Sequence, residues 1–322
     1  MIRLLAALLL LAGGTLPALA QVVPGRPIRV IVGYGPGSAL ETPARAIADQ
    51  VGARLGTTLV FESRPGGGGV VGSEIVARAA PDGHTLVMGG AGSHGVTPAI
   101  KRRLPFNMER DFTAIARIAE FPVVMMVSPS LPVRTLQEFI ALAKARPGQL
   151  NFGSSGVGTS LHLTGELLRL RTGIDVIHVP YRGSTGVSTA LMAGEVQISF
   201  DALPAIVGLV TQGSIRALAV TTAARLPELP DVPTTAEAGL PDFVVTSWVG
   251  PFGPAGMSPA TVEQLSRAFT EAALSPEGSA RLRAIGATPV GEGPAAFDAF
   301  WRRDMARWQE VVQAAHVPVE DY

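Results

Sequence analysis

The sequence predicts an α/β protein built on largely parallel β-sheets. Short apolar runs rich in β-branched residues alternate with segments that carry helix signals, the pattern of parallel strands covered by helices. Glycine-rich segments follow several predicted strands, where the binding loops of open α/β sheets lie. The chain has 322 residues, and at roughly 100–200 residues per domain this length predicts two domains.

The predicted strands are short and evenly spread. They lie at residues 28–32, 58–62, 85–88, 123–127, 150–153, 176–179, 196–200, 215–220 and 244–247. A capping box at residues 135–138 begins a helix that Pro147 and Gly148 end. Ser258 and Pro259 begin another helix. Near the C-terminus an apolar stripe at helical spacing predicts a core-facing helix, with Phe297, Phe300, Trp301, Trp308 and Val311.

The first twenty residues have the features of a secretory signal peptide. Arg3 provides a positive charge, residues 4–11 form a short apolar run, and residues 18–20 form an A-x-A cleavage site. The apolar run is too short to span a bilayer, so we expect no direct membrane insertion. We predict that residues 1–20 are a signal peptide and that the mature chain begins at Gln21.

Charge and cysteine content exclude several classes of function. The 26 basic and 26 acidic side chains cancel, which removes the electrostatic case for a nucleic-acid partner. The absence of cysteine excludes disulfides, thiol catalysis and cysteine-based zinc sites. The five histidines show no metal-ligand spacing, so we predict no metal site.

Residues 151–162, NFGSSGVGTSLH, predict a strand, a tight turn and a helix that begins near Thr159. Such a turn directs backbone N–H groups outward at the positive end of a helix dipole, which is a site for an anion. Gly156 and Gly158 allow a ligand to approach the backbone, and hydroxyl groups complete the site, from Ser154, Ser155 and Thr159. A strand-to-helix turn with a threonine cap and no ligand is an equally open interpretation.

Two cofactor motifs are incomplete. Residues 67–72 match G-x-G-x-x-G, but the acidic residue expected about twenty positions later is absent, so a dinucleotide is not favoured. No lysine follows the 151–162 segment in the way that a P-loop requires. We therefore predict no cofactor.

A serine hydrolase is the alternative from a different functional class. Ser155, His162 and Asp201 supply the residue types of a catalytic triad. However, the segment lacks the second glycine of a nucleophile elbow, and Ser155 and His162 lie about two helical turns apart. Asp201 fits either a helix cap or a ligand contact.

Short motifs follow one another in a characteristic order along the chain. They include RPIRVIV at 26–32, RPGGGG at 64–69, PDGHTL at 81–86, LPF at 104–106, RDF at 110–112, VPYRG at 179–183, DVPT at 231–234, EAG at 237–239 and PAG at 254–256. In this order they resemble the periplasmic solute receptors of tripartite tricarboxylate transporters, the Bug-type binding proteins. The resemblance covers essentially the whole chain after the signal peptide.

This resemblance implies a two-lobed periplasmic binding protein of the Venus-flytrap, type II-like kind, each lobe a largely parallel sheet flanked by helices. Residues 21–122 with 248–322 would form lobe 1, and residues 123–247 would form lobe 2. The implied function is a periplasmic, non-enzymatic receptor that captures a small carboxylate between the lobes and delivers it to a membrane transporter. We expect a monomer. An exported serine hydrolase using Ser155 stays the alternative.

The family's ligand contacts, carried over by position, fall in three loops and at two further residues. The candidate ligand-binding residues are Tyr34, Gly37, Ser38, Ala39, Ser93, His94, Thr97, Ser154, Ser155, Gly156, Gly158, Thr159, Tyr181 and Asp201. Two binding loops depart from the family pattern: Leu40-Glu41 replaces the usual Thr-Asp, and Val96-Thr97 replaces Ile-Asn. If Leu40 faces the ligand it favours an apolar ligand body, but it fits a core position nearly as well.

Overall fold

The computed structural model describes residues 22–321, so the predicted signal peptide lies outside the described residues. These residues form eleven strands: β1 Ile28–Val32, β2 Leu59–Ser63, β3 Thr85–Gly90, β4 Phe112–Ala114, β5 Arg117–Val127, β6 Leu150–Ser154, β7 Val176–Pro180, β8 Ile198–Ala202, β9 Arg216–Val220, β10 Thr246–Pro254 and β11 Thr288–Glu292. All the strands predicted from sequence are present. Strands β5 and β10 are longer than predicted, and β4 and β11 were not predicted.

The helices lie between these strands. They are α1 Glu41–Ala46, α2 Ala48–Leu55, α3 Val70–Ala77, a π-helix at Ala91–Val96, α4 Thr97–Ile100, α5 Leu136–Ala145, α6 Ser160–Thr172, α7 Gly183–Ala193, α8 Leu203–Thr211, α9 Pro259–Leu274, α10 Pro276–Ala284 and α11 Pro294–Ala314. The predicted caps are confirmed: the hydroxyls of Thr135 and Ser258 accept hydrogen bonds from the N–H groups of Glu138 and Thr261. Among residues 22–321, no helix combines the length and apolar character needed to cross a membrane.

Strand β5 joins the two halves of one mixed sheet, whose strand order is β2-β1-β3-β10-β5-β8-β6-β7. Residues 117–122 of β5 pair with β10 and β11, whereas residues 123–127 pair with β8 and β9. We call β1–β4, β10 and β11 the first half and β6–β9 the second half. Pairing is parallel around β1 and around β6, and each antiparallel pair includes β5 or β10. The sheet is therefore mixed, because β10 brings the chain back to the first half and pairs antiparallel with β5, the strand by which the chain enters the second half.

Helix α11 packs against the cores of both halves. Its first turns place Phe297 and Trp301 in one aromatic cluster with Trp248. Its later turns place Trp308 and neighbouring valines in the core of the second half. The predicted apolar stripe is thus confirmed as a core face, and each large buried side chain stabilises the fold by about 1.5–3 kcal/mol.

Candidate ligand-binding cleft

A cavity of about 550 Å³ lies where the loops of the two halves meet. Loops that follow β1, β3 and β6 converge there, as expected for the carboxyl ends of strands in an open α/β sheet. We call this cavity the cleft. Its lining residues are Tyr34, Ser38, Ala39, Leu40, Gly68, Ala91, Gly92, Ser93, Thr97, Ile100, Lys101, Ser155, Val157, Gly158, Thr159, Ser160, Ser247 and Glu320.

Two side chains of the first half converge on the glycine-rich run after β2. The Tyr34 hydroxyl and the Thr97 hydroxyl donate hydrogen bonds to the Gly68 carbonyl, at 3.2 and 3.1 Å. Glycine is required beside them: Gly69 has φ +99°, and a Cβ there would lie 2.8 Å from Ser93 Cβ. Burial raises the pKa of Tyr34, so its phenol remains a hydrogen-bond donor.

The π-helix after β3 forms the next part of the wall. Ala91, Gly92 and Ser93 line the cleft, and the Ser93 hydroxyl accepts a hydrogen bond from the Gly90 N–H at 3.2 Å. Single π-helical turns are often found at functional sites.

The His94 side chain lies behind this wall. Its ring is fully buried and stacks on Phe252 with the ring centroids 4.6 Å apart. Burial lowers the pKa of His94 to about 3, so the imidazole is neutral at physiological pH. The cleft therefore receives no positive charge from this histidine.

The loop after β1 presents one hydroxyl and one apolar side chain. Among residues 22–321, the buried Ser38 Oγ has no hydrogen-bond partner, and Ser38 lines the cleft. Leu40 lines the cleft and also belongs to the core of the first half. Glu41 points away, because its carboxylate accepts a hydrogen bond from Gly37 N–H at 2.8 Å and pairs with Arg45 at 2.5 Å.

Residues 154–159, which we call the 154–159 turn, form the opposite wall at the start of α6. Thr159 caps the helix as predicted: its hydroxyl accepts from His162 N–H at 3.2 Å and donates to the Gly156 carbonyl at 2.9 Å. The N–H groups of Gly156 and Gly158 bind within the protein, to Ser154 Oγ and His162 Nδ1. Within the described chain, the N–H groups of Ser155 and Val157 have no such partner. They are the turn's available donors.

Two stacked histidines support this turn from beneath. The rings of His162 and His178 lie 3.9 Å apart, and His178 Nε2 is 2.7 Å from the buried Ser154 hydroxyl. Burial, the largest cause, lowers the pKa of both imidazoles to about 4. Glu166 lies 3.7 Å from His162 Nε2 and pairs with Arg169 at 2.7 Å. The turn thus rests on neutral imidazoles.

Tyr181 and Asp201 lie outside the cleft lining. The Tyr181 N–H donates to the Ser154 carbonyl at 2.9 Å, which extends the pairing of β6 with β7. Asp201 is buried, and burial raises its pKa even though Ser184 and the Ala202 N–H donate hydrogen bonds to it. Asp201 does not cap α8, because the N-cap residue is Ala202 and no side chain of residues 22–321 caps the helix; the carboxylate instead accepts a hydrogen bond from the adjacent Ala202 N–H at 2.8 Å.

The structure separates the candidate residues into two sets. Those that line the cleft are Tyr34, Ser38, Ala39, Ser93, Thr97, Ser155, Gly158 and Thr159. Those that lie outside the lining are Gly37, His94, Ser154, Gly156, Tyr181 and Asp201. Sequence reasoning missed several lining residues. Gly92 had a local signal in its glycine-rich loop, but Lys101, Ser247 and Glu320 had none.

The candidate triad of Ser155, His162 and Asp201 is not joined by hydrogen bonds within residues 22–321. The same part of the chain contains no group of three or more His, Asp or Glu side chains placed to hold a metal ion. What the cleft offers is hydroxyls, backbone donors and apolar surface.

Comparison with known proteins identifies the family. The profile described as "Tripartite tricarboxylate transporter family receptor" matches residues 43–317. The chain belongs to this receptor family. Protein BugT of Bordetella pertussis (strain Tohama I) is 33% identical over 303 residues, which cover 94% of this chain and 93% of BugT. The family resemblance inferred from the short motifs is confirmed.

Solved structures of other receptors have the same fold. A protein of R. palustris solved with adipate is 33% identical, with a TM-score of 0.76, covering 93% of this chain and 99% of its own. MatC from Rhodopseudomonas palustris, with bound malate, is 32% identical, with a TM-score of 0.72 and coverage of 90% and 100%. Two further solved structures of this fold are those of a periplasmic transporter and of the periplasmic binding protein BugD. The predicted periplasmic-binding-protein fold of this receptor is therefore confirmed.

Proposed function

We propose that this protein is a periplasmic receptor that captures a small carboxylate in the cleft and delivers it to a membrane transporter of the tripartite tricarboxylate type. The main support for this proposal is the 154–159 turn, whose available N–H groups lie at the N-terminus of the thirteen-residue helix α6. Such a helix end stabilises an anion through its N–H groups and its dipole.

The opposite wall supports binding of an organic anion. Ser38, whose hydroxyl has no hydrogen-bond partner within residues 22–321, lines the same cleft as the turn, while Leu40 and Ile100 add apolar surface for a carbon chain. Adipate and malate, bound by two similar receptors, combine carboxylates with a short carbon chain. The candidate residues that line the cleft are accordingly the contacts we propose for the ligand.

We further propose that the two halves are lobes that close on the ligand. Strand β5 changes its partners between Pro122 and Val123, and β10 lies beside it with Ser247 in the cleft. A boundary at these residues matches the proposed lobes, 21–122 with 248–322 and 123–247. Rotation of the lobes about two strands would bring the 154–159 turn toward Ser38. Export by the predicted signal peptide would place this receptor in the periplasm.

Replacing Ser155 with alanine tests whether its hydroxyl, which belongs to the proposed contacts, binds the ligand. Removal of a hydrogen bond to a charged carboxylate should weaken binding by about 1.5–3 kcal/mol, because hydrogen bonds to ionised groups are the stronger ones. Calorimetry with adipate and malate measures the change. Ser214→Ala is the matched control, since Ser214 lies between α8 and β9 and does not line the cleft. Equal affinity of both variants would show that the Ser155 hydroxyl does not contact the ligand, because alanine retains the Ser155 N–H.

A further inference from the structure

Two full charges line the cleft, and they face each other. Lys101 follows α4, and Glu320 comes from the C-terminal segment; Nζ and Oε2 lie 2.6 Å apart. The other lining side chains are neutral hydroxyl, aromatic or aliphatic groups, together with glycines. Lys101 is therefore the lining residue able to attract a ligand carboxylate by its charge.

The two partners of this ion pair differ in how tightly they are held. The Lys101 side chain is only 14% exposed, whereas that of Glu320 is 64% exposed. A lysine side chain with so little exposed surface favours an anionic partner for its charge, while an exposed carboxylate returns to water at little cost. An incoming anion can consequently replace Glu320 on Lys101.

The C-terminal segment does not depend on this side-chain contact for its position. The Glu320 N–H donates to the Ile100 carbonyl at 2.9 Å, and the Arg102 N–H donates to the Glu320 carbonyl at 3.0 Å. These backbone bonds hold residue 320 beside α4 and do not involve its side chain. Exchange of the carboxylate therefore leaves the segment docked.

Lys101 also lies close to the proposed carboxylate site. The preceding residue, Ile100, touches the 154–159 turn, since a Cβ built on Gly158 would lie 2.7 Å from Ile100 Cδ1. Both Lys101 and Ser155 line the same cavity of about 550 Å³. A short dicarboxylate bound at the turn by one end can present its other end to Lys101.

We propose that Lys101 is the specificity-determining residue for a ligand with two carboxylates, and that the second carboxylate displaces Glu320 from it. This inference rests on the proposed function. A monocarboxylate leaves the Lys101–Glu320 pair intact and gains nothing from it, whereas a dicarboxylate exchanges one ion pair for another inside a more enclosed site. Glu320 thus competes with the second carboxylate for Lys101 and lowers the net gain in binding free energy.

The test compares ligands that differ only in the second carboxylate. Affinities for adipate and hexanoate, and for succinate and butyrate, are measured by calorimetry in the wild-type protein and in Lys101→Met and Glu320→Gln. Lys101→Met should weaken binding of the dicarboxylates roughly 10- to 150-fold and leave the monocarboxylates nearly unchanged. Glu320→Gln should strengthen dicarboxylate binding about two- to fivefold, because the competing anion is gone.

Matched controls separate these effects from a change in overall charge. Arg102→Met and Asp321→Asn alter neighbouring exposed residues by the same charge and should leave the ratio of affinities unchanged. If Lys101→Met weakens binding of a dicarboxylate and its matched monocarboxylate equally, or of neither, Lys101 does not bind the second carboxylate and the inference is overturned. The proposed binding of carboxylates is not contradicted by that result. If the wild-type protein binds none of the four acids, the proposed function itself fails.

Discussion

At the scale of single residues, Leu40 serves two environments at once. The sequence left two alternatives for this side chain, the cleft and the core, and the structure places it in both. It packs so closely over Gly90 that a Cβ there would lie 2.4 Å from Leu40 Cδ2. Apolar surface that lines the cleft is therefore part of the same core that stabilises the first half.

Leu40→Thr should lower the free energy of unfolding by about 2–4 kcal/mol, because it removes buried methyl groups and adds a hydroxyl to apolar surroundings. We also expect a modest shift of ligand preference toward polar carboxylates. Urea denaturation gives the stability, and competition between malate and adipate gives the preference. Val157→Thr is the control, since Val157 lines the cleft but is 53% exposed. A variant as stable as wild type would show that Leu40 does not contribute to the core.

At the scale of elements, the start of α6 depends on the neutral histidine stack beneath it. The pKa values of His162 and His178 fall from 6.5 to about 4, so the unfolded chain binds protons more readily than the native protein between these values. Stability should be complete above about pH 6.5 and should decrease as the pH falls toward 4. Urea unfolding at a series of pH values measures this loss. The charged groups that lie nearest to the stack are Glu166 and Arg169.

His178→Gln identifies the source of that pH dependence. The amide retains a hydrogen-bonding group for Ser154 but does not titrate, so the loss of stability between pH 6.5 and 4 should become smaller. His94, whose pKa is lowered to about 3, stays in both proteins and supplies the same background. An identical pH profile in the variant would contradict a role for the stack.

At the scale of the whole molecule, the proposed closure of the lobes depends on how the two halves are joined. Strands β5 and β10 link them through the sheet, and α11 packs on both cores. A ligand that contacts the 154–159 turn and Ser38 together binds a closed form more tightly and shifts the population toward it. Small-angle scattering should give a smaller radius of gyration with saturating adipate or malate. An unchanged radius in the presence of measured binding would indicate a rigid receptor.

The sequence by itself determined what depends on near neighbours. The caps at Thr135, Thr159 and Ser258 were predicted because each uses residues three positions apart. The short strands followed from runs of β-branched residues, and the family followed from motifs in a fixed order. Eight of the fourteen candidate binding residues line the cleft because loops after parallel strands meet at one edge of a sheet.

Only the tertiary structure decided where individual side chains point and which distant residues meet. His94, in the π-helix, and Ser154, the last residue of β6, both lie beside residues that line the cleft, yet neither lines it. The His94 ring stacks on Phe252, and the Ser154 hydroxyl contacts His178. Lys101 and Glu320 are 219 positions apart, and no local pattern indicates their contact. Strand β11 likewise forms only because β5 offers an edge to pair with. Such features depend on contacts that exist only after the chain has folded, so the periodicity and spacing of residues in the sequence do not predict them.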